Sequence, residues 1–182
     1  MLRDRRVRVC LLVAALLAIG NEWLTPATLV GHATFGDTTY WLARLSWIAP
    51  YAVALVAVVS SARAGAAVVV AGTALLASLV AVVLDPGVHF SQLGFLAHLL
   101  DVVAMLPADL MARRRRFFDS GAGATAGFAC GIGLAAVAFL WAIPRIVHVP
   151  GWYLLGGYVF PLVLMTLVGA ASGAVRRAAL VH

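Results

Sequence analysis

His98 and Asp101 are the residues whose types and spacing could do chemistry inside an otherwise apolar chain. They lie three positions apart, so on a helix they share one face. An imidazole beside a carboxylate can bind or relay a proton, hold a cation, or act in acid–base catalysis. Their surroundings sharpen the point. The stretch from Asp85 to Arg116 is mostly apolar and ends in four consecutive arginines. A guanidinium avoids hydrocarbon, so Arg113 marks a membrane–water boundary. Counting back along a helix puts Asp101 roughly 18 Å and His98 roughly 22 Å from that boundary. A bilayer core is about 30 Å thick, so both are submerged in the half away from the arginines. Charge there costs about 2.5–3.5 kcal/mol on insertion scales, and such groups face a bundle interior with a partner.

Composition shows why the medium is lipid. Charged residues are 11% and apolar residues 64% of the 182, with a mean hydropathy of +1.03. Soluble domains carry about 25% charged residues. The net charge of +6 is not a nucleic-acid footprint. All 13 basic residues are arginine, and 11 of them fall in short clusters between apolar runs. Nucleic acid is therefore not an expected partner; the lipid bilayer is.

Six apolar runs are expected to be membrane helices in a single all-α domain, at about 7–24, 40–61, 65–84, 91–112, 123–143 and 152–175. The first is read as an uncleaved helix, because no A-x-A site closes it. Arginine clusters then fall at 3–8, 63, 113–116 and 176–177, all on one side. Only Arg44 and Arg145 fall on the other. The positive-inside rule makes the clustered side cytoplasmic, with both termini there. A bacterial cytoplasmic membrane is the expected location. Gly123, Gly127 and Gly131, and Gly169 with Gly173, are spaced by four. Such faces admit a close helix, either within the chain or from a partner subunit or second copy. Trp47, Tyr51, Tyr40 and Trp41 read as an interfacial aromatic belt. Pro107 is expected to kink the inner end of the fourth span, and Asp109 to pair with Arg113 one turn away.

The same frame sorts the remaining polar groups. Glu22, His32, Asp37, Asp85, His89, His98, Asp101 and His148 all map to the outer half or surface. Glu22 lies about 21 Å along its helix from Arg8, matching His98 and Asp101 in depth. An outward-opening polar pocket is expected, floored by His98 and Asp101, with Glu22 and Arg44 on its wall; Arg44 or Arg145 would bind an anionic group. It would bind or help transport a small solute or ion. Two further classes use the same residues. One is an intramembrane enzyme acting on a lipid-like or isoprenoid substrate, with His98, Asp101 and Glu22 in acid–base roles. The other is a non-catalytic assembly subunit.

A metal ion is a possible cofactor, with Asp85, His89 and His98 as candidate ligands. Asp85-x-x-x-His89 followed by His98 is similar to the carboxylate–histidine–histidine copper site of membrane-bound monooxygenases. Here Pro86-Gly87 interrupts the first pair, and the step from His89 to His98 is about half a turn out of phase on a helix. Six spans in so short a chain, with Ala14-x-x-x-Ala18 in the first, are similar in shape to the substrate-binding membrane subunits of energy-coupling-factor vitamin transporters. That similarity assigns no residue a role. Two cysteines, Cys10 and Cys130, lie within apolar runs and read as packing residues. Walker-type, dinucleotide-binding and serine-nucleophile motifs are absent from the sequence.

Overall fold

A computed structural model describes residues 4–27, 38–84, 92–114, 118–142 and 151–181. Among these the chain is all-helical. The helices are α1 (Arg5–Ala27), α2 (Thr38–Ser61), α3 (Ala66–Leu84), α4 (Gln92–Val103), α5 (Leu106–Arg114), α6 (Ser120–Ala142) and α7 (Gly151–Val181). The spans within α2, α3, α6 and α7 are long and apolar enough to cross a membrane. The outward faces agree with lipid contact. Leu12, Leu16, Leu76, Val83 and Leu167 are each more than 60% exposed, an apolar surface that water would not tolerate over so many helices.

Helices α1, α2 and α3 pack as a trio, and α6 and α7 as a pair, with α4 and α5 between them and α2 touching α7. Small residues make both units close. In the trio, Ala14 and Ala18 of α1 meet the buried Ala54 and Ala57 of α2 and Ala67, Ala71 and Ala74 of α3 in one core. In the pair, the glycine faces meet each other within the chain. A Cβ at Gly123 would collide with the Gly169 carbonyl, and one at Gly127 with that of Met165. At Gly131 it would lie 2.9 Å from the Leu162 Cα. The backbones therefore touch, as small-x-x-x-small steps permit.

The fourth run departs from a single span. It divides into α4 and α5 at Ala104-Met105. Pro107 has no N–H and its ring crowds the carbonyl four residues earlier, at Val103, where α4 stops. Met105 N bonds Val102 O at 3.1 Å, a tightened last turn, and Pro107 then occupies the first turn of α5, where its missing donor costs nothing. Alone, α4 and α5 have 12 and 9 residues, each too short to span.

Asp109 does more than face Arg113. Its carboxylate takes hydrogen bonds from Ala67 N at 3.1 Å and Val68 N at 2.9 Å. It thus caps the N-terminus of α3 from a neighbouring helix, satisfying donors that helix geometry leaves orphaned. Burial of the Asp109 side chain makes this cap matter, because an uncapped N–H has no water to turn to. Replacing Asp109 with alanine should destabilise the fold by about 2 kcal/mol, read as a lower midpoint in thermal or denaturant unfolding in detergent.

The arginine-rich segments gather at one end of the bundle. Asp4 pairs with Arg63 at 3.3 Å. Arg6 donates to Ser60 O at 3.0 Å and Arg176 to Val59 O at 2.7 Å. Asp119 caps α6 through Ala122 N at 2.7 Å and lies against Gly173 of α7. The α2–α3 turn sits at this end too, with Ala62 (φ 50°) and Gly65 (φ 87°) in the left-handed region that lets the chain reverse.

Candidate functional site

Six side chains from four helices converge at one depth. Consider the register of each helix. Arg63 and Arg113 mark the arginine-rich end. Tyr51 precedes Arg63 by the same number of residues as Asp101 precedes Arg113, roughly 18 Å of helix. His98, Glu22 and Ser78 each lie roughly 21–22 Å from the arginine that marks their own helix. The fold needs only to bring α1, α2, α3 and α4 side by side for these groups to meet.

They do meet. His98 of α4 is the centre. Its Nε2 lies 3.7 Å from Glu22 Oε1 of α1, and its Nδ1 lies 3.7 Å from Asp101 Oδ2. The two carboxylates thus address opposite nitrogens of one ring. Tyr51 of α2 places its hydroxyl 3.3 Å from Nδ1, the same nitrogen that faces Asp101. One turn along α2, Trp47 donates its indole N–H to Asp101 Oδ2 at 3.0 Å. Ser78 of α3 hydrogen-bonds Glu22 from the other side. Beside the cluster, Ser46 donates to Asn21 Oδ1 at 2.8 Å, fixing α1 against α2.

Burial is deep. Asp101 is 0% and Glu22 6% exposed. Among the described residues, Glu22 Oε1 and Asp101 Oδ1 are buried without a hydrogen-bond partner. Unmet acceptors on buried carboxylates are costly. Occupancy by a proton or a small cation removes that cost. The imidazole can also change tautomer between the two acids. If Tyr51 donates to Nδ1, the ring proton faces Glu22. If Nδ1 carries the proton, Tyr51 is released to donate to Asp101. A proton can therefore be passed along Glu22, His98 and Asp101 by local rotations.

Arg44 sits one turn before Trp47 on α2. Its guanidinium lies 5.3 Å from the Tyr40 ring centroid, a cation–π contact, and against α7 beside Gly157. An aromatic group surrounds it: Tyr40 meets Trp41 edge-on at 5.0 Å, and Trp41 meets Phe160 at 5.3 Å. Arg145, Asp85, His89, His32, Asp37 and His148 lie outside the described residues. A metal site on Asp85, His89 and His98 therefore has one described member. Among the described residues, no group of three or more His, Cys, Asp or Glu side chains is placed to hold a metal ion. Cys130 is buried and Cys10 half-buried, both as free thiols.

Trp47, Tyr51 and Ser78 are the members that sequence reasoning passed over. Their signal was depth. Tyr51 lies too far from Arg63 for an interfacial belt on that side, and it shares a helix face with Trp47 at the i, i+4 spacing.

Compared with known protein families, curated proteins and solved structures, the chain matches none.

Proposed function

We propose that the chain is a six-span membrane protein that binds, or helps transport, a small ion at the Glu22–His98–Asp101 cluster. The ion is a proton or a small non-metal cation, since among the described residues no three such groups are placed to hold a metal ion. The observation that carries this reading is two buried carboxylates on separate helices, each with an oxygen lacking a hydrogen bond, flanking one imidazole. Intramembrane ionisable groups so arranged commonly mark ion sites and proton relays.

The six spans are α1, α2, α3, α4 with α5, α6 and α7. The gathering of the arginine clusters at one end supports this count, and the positive-inside rule assigns that end and both termini to the cytoplasm. The cluster then lies in the outer half, with Arg44 between it and the outer surface. A bacterial cytoplasmic membrane is the location that goes with this topology.

A cation that enters a site of partly protonated acids displaces protons. Adding ammonium or methylammonium to weakly buffered, detergent-purified protein tests the reading. At least one of them should release protons, and Glu22→Gln or Asp101→Asn should abolish the release. If no cation releases protons and the variants titrate as the parent does, the reading fails.

One observation favours a second reading, an intramembrane enzyme acting on a lipid-like or isoprenoid substrate. Tyr51 and His98 are hydrogen-bonded, with Asp101 held by Trp47, an orientation suited to general acid–base catalysis. Such a site needs access from one side only, whereas ion transport needs a path through the inner half.

A further inference from the structure

A second site lies at the arginine-rich end, remote from His98. A cleft of about 420 Å³ opens between the start of α1, the end of α2 and the end of α7. Arg6, Ser60, Ser172 and Arg176 supply its polar lining, and Val56, Ala171, Val175 and Ala179 its apolar lining. Among the described residues, no acidic side chain lines it. Arg6 and Arg176 each donate to a carbonyl at the end of α2, and both line the cleft. A guanidinium has five N–H donors, so the bond from Arg6 to Ser60 leaves donors for a ligand.

The apolar side indicates what kind of anion. Leu167, at 61% exposure, and Val175, at 70%, lie four residues either side of Ala171 on α7, within about 80° of one another around the helix. Ala171 and Val175 line the cleft. This short apolar stripe leads from the exposed side of α7 to the cleft. We infer that the cleft binds the phosphate of an anionic phospholipid, with an acyl chain laid along the α7 stripe. Arginine suits phosphate because its planar fork makes paired, charge-assisted hydrogen bonds.

Full-length protein, delipidated in detergent, is titrated with dioleoylphosphatidylglycerol or dioleoylphosphatidylcholine and read by native mass spectrometry. The expected result is one retained phosphatidylglycerol per chain in preference to phosphatidylcholine. Combining Arg6→Gln with Arg176→Gln should weaken that binding about thirtyfold, from the charge attraction of two arginines. Both arginines also hold the end of α2, so a second variant is needed. Ala171→Phe fills the cleft with both arginines intact and should abolish the preference while leaving helicity and elution volume unchanged. Equal retention of the two lipids, or a preference that survives Ala171→Phe, overturns the inference. Binding of inorganic phosphate with no retained phosphatidylglycerol gives the cleft to a soluble phosphate and overturns the lipid assignment.

Discussion

Gly127→Leu should leave little folded protein, with a loss of more than about 3 kcal/mol. The cause is backbone contact. At Gly127 the first side-chain carbon would already overlap the Met165 carbonyl oxygen, and the Thr166 Cα lies 3.1 Å from the same point. Neither neighbour is the flexible end of a side chain, so α6 and α7 would have to separate. Separation would also disturb Gly123 against Gly169 and Gly131 against Leu162. In a membrane, no hydrophobic drive re-forms the pair, because lipid tails are as apolar as the helix faces. Gly72 is the control: a Cβ there would meet nothing within 4 Å. Gly72→Ala should be neutral or slightly stabilising through helix propensity. The two variants are compared by yield of monodisperse protein and by thermal unfolding in detergent. A Gly127→Leu protein as stable as the parent would show that α6 and α7 are not packed in this way.

Asp101→Asn and His98→Ala should each weaken ion binding by roughly 2–5 kcal/mol, or about thirtyfold to several thousandfold. The effect is large because the surroundings are dry. Removing one member leaves its neighbours without the group they were arranged around. Stability should respond differently. Removing one member of a buried group outright is strongly destabilising, because its partners are left unmet. Asp101→Asn keeps a side-chain oxygen to accept from the Trp47 indole and is therefore expected to fold. Binding lost with folding retained identifies the cluster as a site. If Asp101→Asn and His98→Ala both unfold the protein, the cluster is a packing element that locks α4 against α1 and α2. The two quantities are measured on the same samples, ion binding by proton release and stability by thermal unfolding.

Much of this was legible in the residues, for identifiable reasons. The apolar runs and arginine clusters were strong signals because hydrocarbon excludes charge, and the arginine-rich segments do collect at one end. Depth alone aligned Glu22, His98 and Asp101, since helix rise is fixed. Rotation about each helix axis was less legible. Depth did not say which helices would be neighbours, so Trp47 and Tyr51 were assigned to a belt rather than to Asp101 and His98. The break between α4 and α5 was anticipated as a kink at Pro107, although its place at Ala104-Met105 depends on local turn geometry and on Gly133 of α6 lying against Ala104. Asp109 was legible in part: its sequence neighbour Arg113 was visible, and its spatial neighbour, the start of α3, was not. The glycine spacing announced a close helix contact, and only the packed structure shows that each face finds the other.

The most direct measurement is infrared difference spectroscopy of the protein as pH is varied, following the carboxyl C=O bands. Glu22 and Asp101 should each give a band on protonation, one missing in Glu22→Gln and the other in Asp101→Asn. Because His98 joins them, His98→Ala should displace the pH dependence of both bands together. Two bands that titrate independently, and that His98→Ala leaves in place, would contradict a single ion-binding unit built on this imidazole.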